Sequence, residues 1–329
     1  MNKLLFTILT LCSLNIFAQQ QALFTQYIFN DLIFNPAISG VKNYVPISLN
    51  TRRQWMGIKE APAAQTLSAH GYLDRNMGLG GVIFNQVTGP TRRTGATVSS
   101  AYHMKVTKNK YNKESKTLSF GAAFTISQYT VEKDRLKTRI PDDPTIDKAF
   151  NYGLIPDLSF GLYYHNANKY YIGLSALNLI QSSVDLLNTD TSNVNKVVRN
   201  YYIMSGGNID ISDKISLQPS VLFQMIETLP YQIDGTLLAW YKRTVFMGIS
   251  YRHQDAVAVL VGYKNNMFRF GYSYDYILSD IAGFVSGSHE INLTLYLLNQ
   301  EWSQGRKIRN GKKTRKKRDK GYKPDIYDF

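Results

Sequence analysis

The chain has 329 residues, a net charge of +14 and a single cysteine, which excludes a disulfide-stapled scaffold and leaves room for two soluble domains or one large barrel. Beyond the N-terminal segment no apolar run approaches the roughly 18 residues that a membrane-spanning helix needs, so a helical membrane protein is excluded too. The charge is concentrated in one place: Trp302 to Phe329 holds eleven Lys/Arg against three Asp.

In chain order, Met1-Asn2-Lys3 supplies a positive start, Leu4 to Phe17 an apolar stretch and Ala18 a small residue before three glutamines. This pattern predicts a signal peptide over 1–18, cleaved after Ala18. Cys12 lies inside it, so the mature chain is expected to hold neither a disulfide nor a cysteine-ligated metal. Residues 19–43 form an N-terminal plug or periplasmic segment. Gln20 to Ala37 is apolar but precedes the alternating region, which fits a segment folded back into a barrel or lining its mouth, or a simple packing segment at the barrel base. Pro36 stops any helix there, and Gly40 permits the turn into the first strand.

From Tyr44 to Leu298 the dominant period is two, which sends alternate side chains to opposite sheet faces. Leu118, Phe120, Ala122, Phe124 and Ile126 alternate with Ser119, Gly121, Ala123, Thr125 and Ser127, and the pattern recurs at Ile291, Leu293, Leu295 and Leu297. One face is large and apolar; the other is small or polar, with Arg269, Asp275, Glu290 and Asn292 among its members. The second face predicts a wet or polar lumen rather than a packed core. Tyr164, Tyr251, Tyr263, Tyr276 and Tyr296 are expected in an interfacial aromatic girdle. About fourteen strands fit into 44–298, giving an all-β transmembrane antiparallel barrel. Tight turns such as Asp74-Arg75-Asn76 and Lys264-Asn265-Asn266 alternate with longer connections, notably Tyr129 to Pro156 and Leu179 to Val197. That asymmetry assigns the turns to the periplasm and the loops to the cell surface, and an even strand number leaves both termini periplasmic. Pro219 is a departure, because a closed barrel has no edge strand to accommodate it; a bulge or a miscounted strand would explain it.

Five histidines, at 70, 103, 165, 253 and 289, offer no catalytic constellation. His289 and Glu290 are adjacent in a strand and point to opposite faces, and no nucleophile motif accompanies any of them. Residues 141–147 carry three carboxylates but lack the spacing of a calcium loop. Arg52-Arg53 and Arg92-Arg93 either select anionic solutes or pair with lumen carboxylates such as Glu290 and Asp275, the latter being favoured. No enzyme activity and no cofactor are expected.

The segments Phe24-Thr25-Gln26-Tyr27-Ile28-Phe29-Asn30 and Phe34-Asn35-Pro36-Ala37-Ile38-Ser39-Gly40 resemble the PorP/SprF family of type IX secretion system membrane proteins. The likeness continues at Arg53-Gln54-Trp55, Gly78-Leu79-Gly80-Gly81, Gly271-Tyr272-Ser273-Tyr274-Asp275 and Gly287-Ser288-His289-Glu290-Ile291. The resemblance implies a non-enzymatic outer-membrane protein that binds and helps export or anchor a secreted cell-surface adhesin or other type IX substrate, and supports gliding motility. Phe34, Asn35, Pro36, Ala37 and Gly40 are the candidates for plugging or partner binding. The chain departs from many barrels in its end, since a basic tail over 299–329 follows the last strand. Arg306, Lys307, Arg309, Lys312, Lys313, Arg315, Lys316, Lys317, Arg318 and Lys320 make that tail a candidate for docking to periplasmic secretion or gliding components or to anionic lipid. Outer-membrane lipid is the surrounding partner, and a secreted chain is not expected to meet nucleic acid. The alternative reading is a diffusion channel for small solutes.

Overall fold

The computed structural model describes residues 23–74, 76–106, 116–132, 135, 154–166, 169–184, 195–227 and 230–297. The expected signal peptide, the 141–147 segment and the basic tail lie outside the described residues. Fourteen long strands are described: β1 Val45–Arg53, β2 Ala63–Asp74, β3 Met77–Thr88, β4 Thr91–Lys105, β5 Lys116–Val131, β6 Ile155–Asn166, β7 Tyr170–Leu177, β8 Asn200–Gly207, β9 Ile215–Ile226, β10 Gln232–Tyr241, β11 Val245–Arg252, β12 Ala256–Lys264, β13 Phe268–Ile277 and β14 Ser288–Leu297. Each pairs antiparallel with its sequence neighbours, and β1 pairs with β14 from Val45↔Leu297 to Arg53↔His289, which closes the barrel. Closure removes every unpaired strand edge, the condition for a sheet to span lipid.

The period-two pattern sets the facing. On β14, Leu293, Leu295 and Leu297 are exposed on the outer surface, while Glu290, Asn292 and Thr294 are buried inside. The start of β1, the end of β14 and the connections β2–β3, β6–β7, β8–β9, β10–β11 and β12–β13 share one end, here the turn end. The opposite, loop end carries the connections 54–62, 132–154, 178–199 and 278–287. Three connections there are short: 227–231, 253–255 and, shortest, Gly89-Pro90 between β3 and β4, with Thr88 paired to Thr91.

Pro219 sits in β9 without shifting the register. Gly206↔Ser220 and Ile209↔Leu217 belong to one continuous register, and the ladder is interrupted between them. There the amide of Asn208 turns to the carbonyl of Lys169 at 2.9 Å. The missing proline N–H therefore breaks the ladder locally, with no bulge and no lost strand.

The core lies in the lumen. Phe24, Tyr27, Ile28, Phe29, Phe34, Ala37 and Ile38 of the N-terminal segment pack against Tyr163, Tyr171, Tyr202, Met204, Leu222, Leu238, Trp240, Phe246 and Leu260 of the wall. The expected wet lumen is thus a packed one: the small inward residues make room for chain instead of water. Tyr296 departs from the expected girdle as well. It is buried on the lumen side against Tyr44, with ring centroids 5.1 Å apart, and Lys264 lies over its ring. Its parity is opposite to that of Leu295 and Leu297, which accounts for the difference.

Candidate functional site

The segment before β1 fills the barrel through three single turns of 3-10 helix, Tyr27–Phe29, Asp31–Ile33 and Pro36–Ile38. Asn35 starts the third turn. Its Oδ1 accepts the amide of Ala37 at 2.9 Å, and Pro36 takes the first helical position, where no N–H is needed. The Nδ2 of Asn35 donates to the carbonyls of Leu162 at 2.9 Å and Leu174 at 3.3 Å, joining the turn to β6 and β7. Phe34 meets Tyr202 edge-on at 5.3 Å, and its carbonyl accepts the hydroxyl of Ser175 at 2.6 Å.

This approach is possible only because the wall is bare backbone at that point. Gly121 of β5 and Gly161 of β6 are cross-strand partners. A Cβ on Gly121 would lie 2.2 Å from the Ala37 nitrogen, and one on Gly161 would lie 2.0 Å from Asn35 Oδ1. Nearer the turn end, Gly40 adopts φ +76°, the left-handed region that glycine enters freely. Its N–H donates to His70 Nδ1 at 3.0 Å. His103 donates from Nε2 to the Ser39 carbonyl at 3.0 Å and accepts the Ser119 hydroxyl at Nδ1, 2.7 Å away. These histidines hold the segment.

At the loop end the segment is pinned by charge. Arg52 contacts Asp275 at 2.6 Å and Glu290 at 3.1 Å, the pairing favoured from the sequence. Arg252 contacts Asp234 at 2.7 Å, Asp255 at 3.3 Å and Asp275 at 3.4 Å. Thr25 lies between the two guanidiniums. Its hydroxyl accepts from Arg52 at 2.9 Å and from Arg252 at 3.2 Å and donates to Asp275 at 2.8 Å, while its amide donates to Glu290 at 2.7 Å. The side chain of Gln26 donates to the Glu290 carbonyl at 3.1 Å. So the segment passes down the lumen from loop end to turn end before β1 climbs back. β1 does begin at the turn end, as an even strand number requires, but Thr25 lies at the other end.

Deeper in, Phe29 packs against Phe246 and Trp240 with centroids 5.0 and 6.5 Å apart, and the Arg269 guanidinium sits 4.0 Å over the same ring. Arg269 also donates to the Phe29 carbonyl at 3.0 Å. Little space is left there: the cavity between Phe29, Lys42, Tyr44 and Arg269 measures about 10 Å³. A larger one, about 80 Å³, remains toward the loop end between the segment and the walls of β2 to β7.

His289 faces outward beside Tyr272, with Oη 2.7 Å from Nδ1, while Glu290 faces inward, so the two adjacent residues are separated by the sheet. Arg92 binds Glu132 at the loop-end rim and holds its carboxyl below the usual range, with Arg135 adding to the effect. Among the described residues no group of histidines and acids is arranged to hold a metal ion. Sequence reasoning missed Thr25, Gln26, Asp234 and Arg252 as members of the charge cluster. It also missed the glycine seam, for which the alignment of Gly121 and Gly161 on neighbouring strands was the available signal.

Several outer-membrane barrels of solved structure are similar to this chain. Omp33 from Acinetobacter baumannii shares 7% identity over 79% of this chain and 99% of its own, with a TM-score of 0.43. The toluene transporter TbuX from Ralstonia pickettii shares 11% over 80% and 92%, at 0.40, and a mutant of the monoaromatic hydrocarbon channel TodX shares 10% over 80% and 92%, at 0.45. No curated protein matches the chain. The family model of the type IX secretion system membrane protein PorP/SprF matches residues 16–295, so one match takes in the luminal segment and the barrel up to the last two residues of β14, and this chain belongs to that family.

Proposed function

We propose that this outer-membrane component of the type IX secretion system binds a secreted cell-surface adhesin, helps export or anchor it, and in that way supports gliding motility, without enzymatic activity of its own. The observation that carries the reading is the filled lumen. A barrel packed from Thr25 to Gly40 with side chains that are buried, Ile33 only partly, offers surfaces rather than a passage, which suits an interaction protein better than a diffusion channel. In this reading the loop end faces outward, the turn end faces the periplasm, and Phe34 to Gly40 set the plug rather than touch the adhesin. The tail from Arg306 to Lys320 is a periplasmic docking segment for an acidic envelope partner, since a dense cationic run cannot bury itself as a core.

Two measurements test this. Purified protein in planar bilayers should show no steady conductance, whereas a chain lacking residues 23–40 should conduct if it assembles; a steady conductance from the intact chain would favour the diffusion channel. A deletion strain should lose adhesin display and gliding. Removing Gly305–Phe329 should leave a heat-modifiable barrel but reduce display, and wild-type display in that strain would end the docking role of the tail.

A further inference from the structure

The cavity of about 80 Å³ beside the luminal segment differs in kind from the rest of the lumen. Phe24, Ile33 and Pro36 of the segment give it an apolar floor, and its wall mixes Phe84 and Leu177 with the hydroxyls of Thr97, Thr125 and Ser159. One cation, Arg93, reaches it from the loop-end part of β4. The Arg93 guanidinium is fixed by two rings, 5.1 Å from the centroid of Phe84 and 5.5 Å from that of Tyr129. Its Nε is buried with no hydrogen-bond partner among the described residues. Every other inward arginine at the loop end is neutralised: Arg52 and Arg252 both bind carboxylates. Arg93 forms no salt bridge among the described residues. Asp157 on β6 interacts with its charge but makes no ion pair with it: Asp157 Oδ1 is held by the amides of Leu158 at 2.7 Å and Ile180 at 3.1 Å, and Oδ2 is buried without a hydrogen-bond partner among the described residues.

We infer that this cavity is a binding site for the C-terminal residue of a secreted polypeptide, with the α-carboxylate on Arg93 and an aliphatic side chain on the floor of Phe24 and Ile33. The inference deepens the adhesin reading and takes the identity of the partner from it. Size selects the chain end. A cavity of about 150 Å³ accepts benzene, so one of about half that volume takes a single aliphatic side chain, not a strand passing through. Chemistry selects it too: a chain end carries an anionic group and an apolar side chain on one carbon, whereas an aspartate or glutamate within a chain carries the charge alone. A guanidinium held by its ring contacts loses little freedom when it binds a carboxylate, and it can do so with two parallel hydrogen bonds. Gln86 and Asn178 line the loop-end side of the cavity with neutral donors and acceptors.

The test uses the full chain in lipid nanodiscs, since detergent would compete for the apolar floor. A fluorescent peptide ending in Val-Leu with a free carboxylate is titrated against the same peptide ending in an amide. The acid should bind at least tenfold more tightly. Arg93→Gln should abolish the difference while the barrel stays heat-modifiable, and Ile33→Trp, which fills the floor, should weaken acid and amide alike. Equal binding of acid and amide, or an acid preference that survives Arg93→Gln, overturns the proposal, as does a site that decanoate occupies while the acid peptide fails to displace it. The two readings fail separately. A ratio of one removes the pocket even where a deletion strain loses its adhesin, and normal adhesin display in that strain removes the anchoring role even where the ratio is tenfold.

Discussion

The lumen has two unlike walls, and the luminal segment is held by both. Along β13, β14, β1 and β2 the inward residues are polar: Arg269, Ser273 and Asp275, then Glu290, Asn292 and Thr294, then Ser48, Asn50 and Arg52, then Thr66 and Ser68, all buried. From β6 round to β12 the segment meets the apolar Tyr163, Tyr171, Tyr202, Met204, Leu222, Leu238, Trp240, Phe246 and Leu260, while Asp234 of β10 and Arg252 of β11 extend the charge cluster at the loop end. The apolar wall stabilises the packed state through area removed from water, a force with little directional preference. The polar wall adds direction: Thr25, Gln26 and Asn30 meet hydrogen-bond partners at fixed heights, and a slip of the segment would strand buried charges. One wall holds the plug in, and the other sets its register.

On β5 and β6, at the edge of the apolar wall, the segment lies directly on glycine backbone and clearance becomes decisive. Gly121→Leu should therefore have the largest effect of any single substitution. The clash is with the Ala37 backbone at 2.2 Å, which no rotamer can relieve, so the expected outcome is loss of the heat-modifiable band. Gly235→Leu is the matched control, because nothing lies within 4 Å of a Cβ there, and it should assemble normally. Assembly of both variants alike would mean that the segment is not seated on bare backbone.

The walls should then respond differently to truncation. Arg52→Met removes the cation shared by Asp275 and Glu290 and should cost about 3–5 kcal/mol of unfolding free energy in denaturant titrations, because the carboxylates are left buried and underpaired. Adding Asp275→Asn and Glu290→Gln should recover part of that loss. On the apolar wall, Leu238→Ala should cost about 2–5 kcal/mol through lost packing and a residual cavity, and the same two carboxylate changes should give it no relief. If the triple variant recovers nothing, the polar wall is acting through shape and not through charge.

How much of this was legible in the sequence follows from which signals were unambiguous. Strand facing could be read from parity, and the same parity joined Arg52 to Asp275 and Glu290, since all three fall on inward positions near the loop end. The filled lumen could not be read that way. A small inward residue has the same appearance in sequence whether water or chain lies against it, so Ser119, Gly121 and Gly161 supported a wet interior equally well. The apolar wall was hidden for another reason: β10 is large and apolar on both faces, with Leu237 outside and Leu238 inside, and alternation carries little contrast there. Asn35-Pro36 signalled a turn but not its seat, because the partners are backbone carbonyls of Leu162 and Leu174, which leave no mark on side-chain composition.

The smallest expected effect tests the polar wall at a single hydroxyl. A threonine hydroxyl has one proton to donate and two lone pairs to accept with, and that of Thr25 uses all three, on Asp275, Arg52 and Arg252. Thr25→Val keeps the size and the amide bond to Glu290 but leaves two guanidinium N–H groups and a carboxylate oxygen each short of a partner. The ion pairs among Arg52, Arg252 and Asp275 survive, so the cost should be that of an unmade buried hydrogen bond, about 1–3 kcal/mol. Thr25→Ser keeps the hydroxyl and should fall within about 1 kcal/mol of the parent, losing one buried methyl group. The pair therefore separates hydrogen bonding from packing at one position. A valine variant as stable as the parent, or a serine variant as damaged as the valine, would show that Thr25 fills space and that the two arginines fix the register without it.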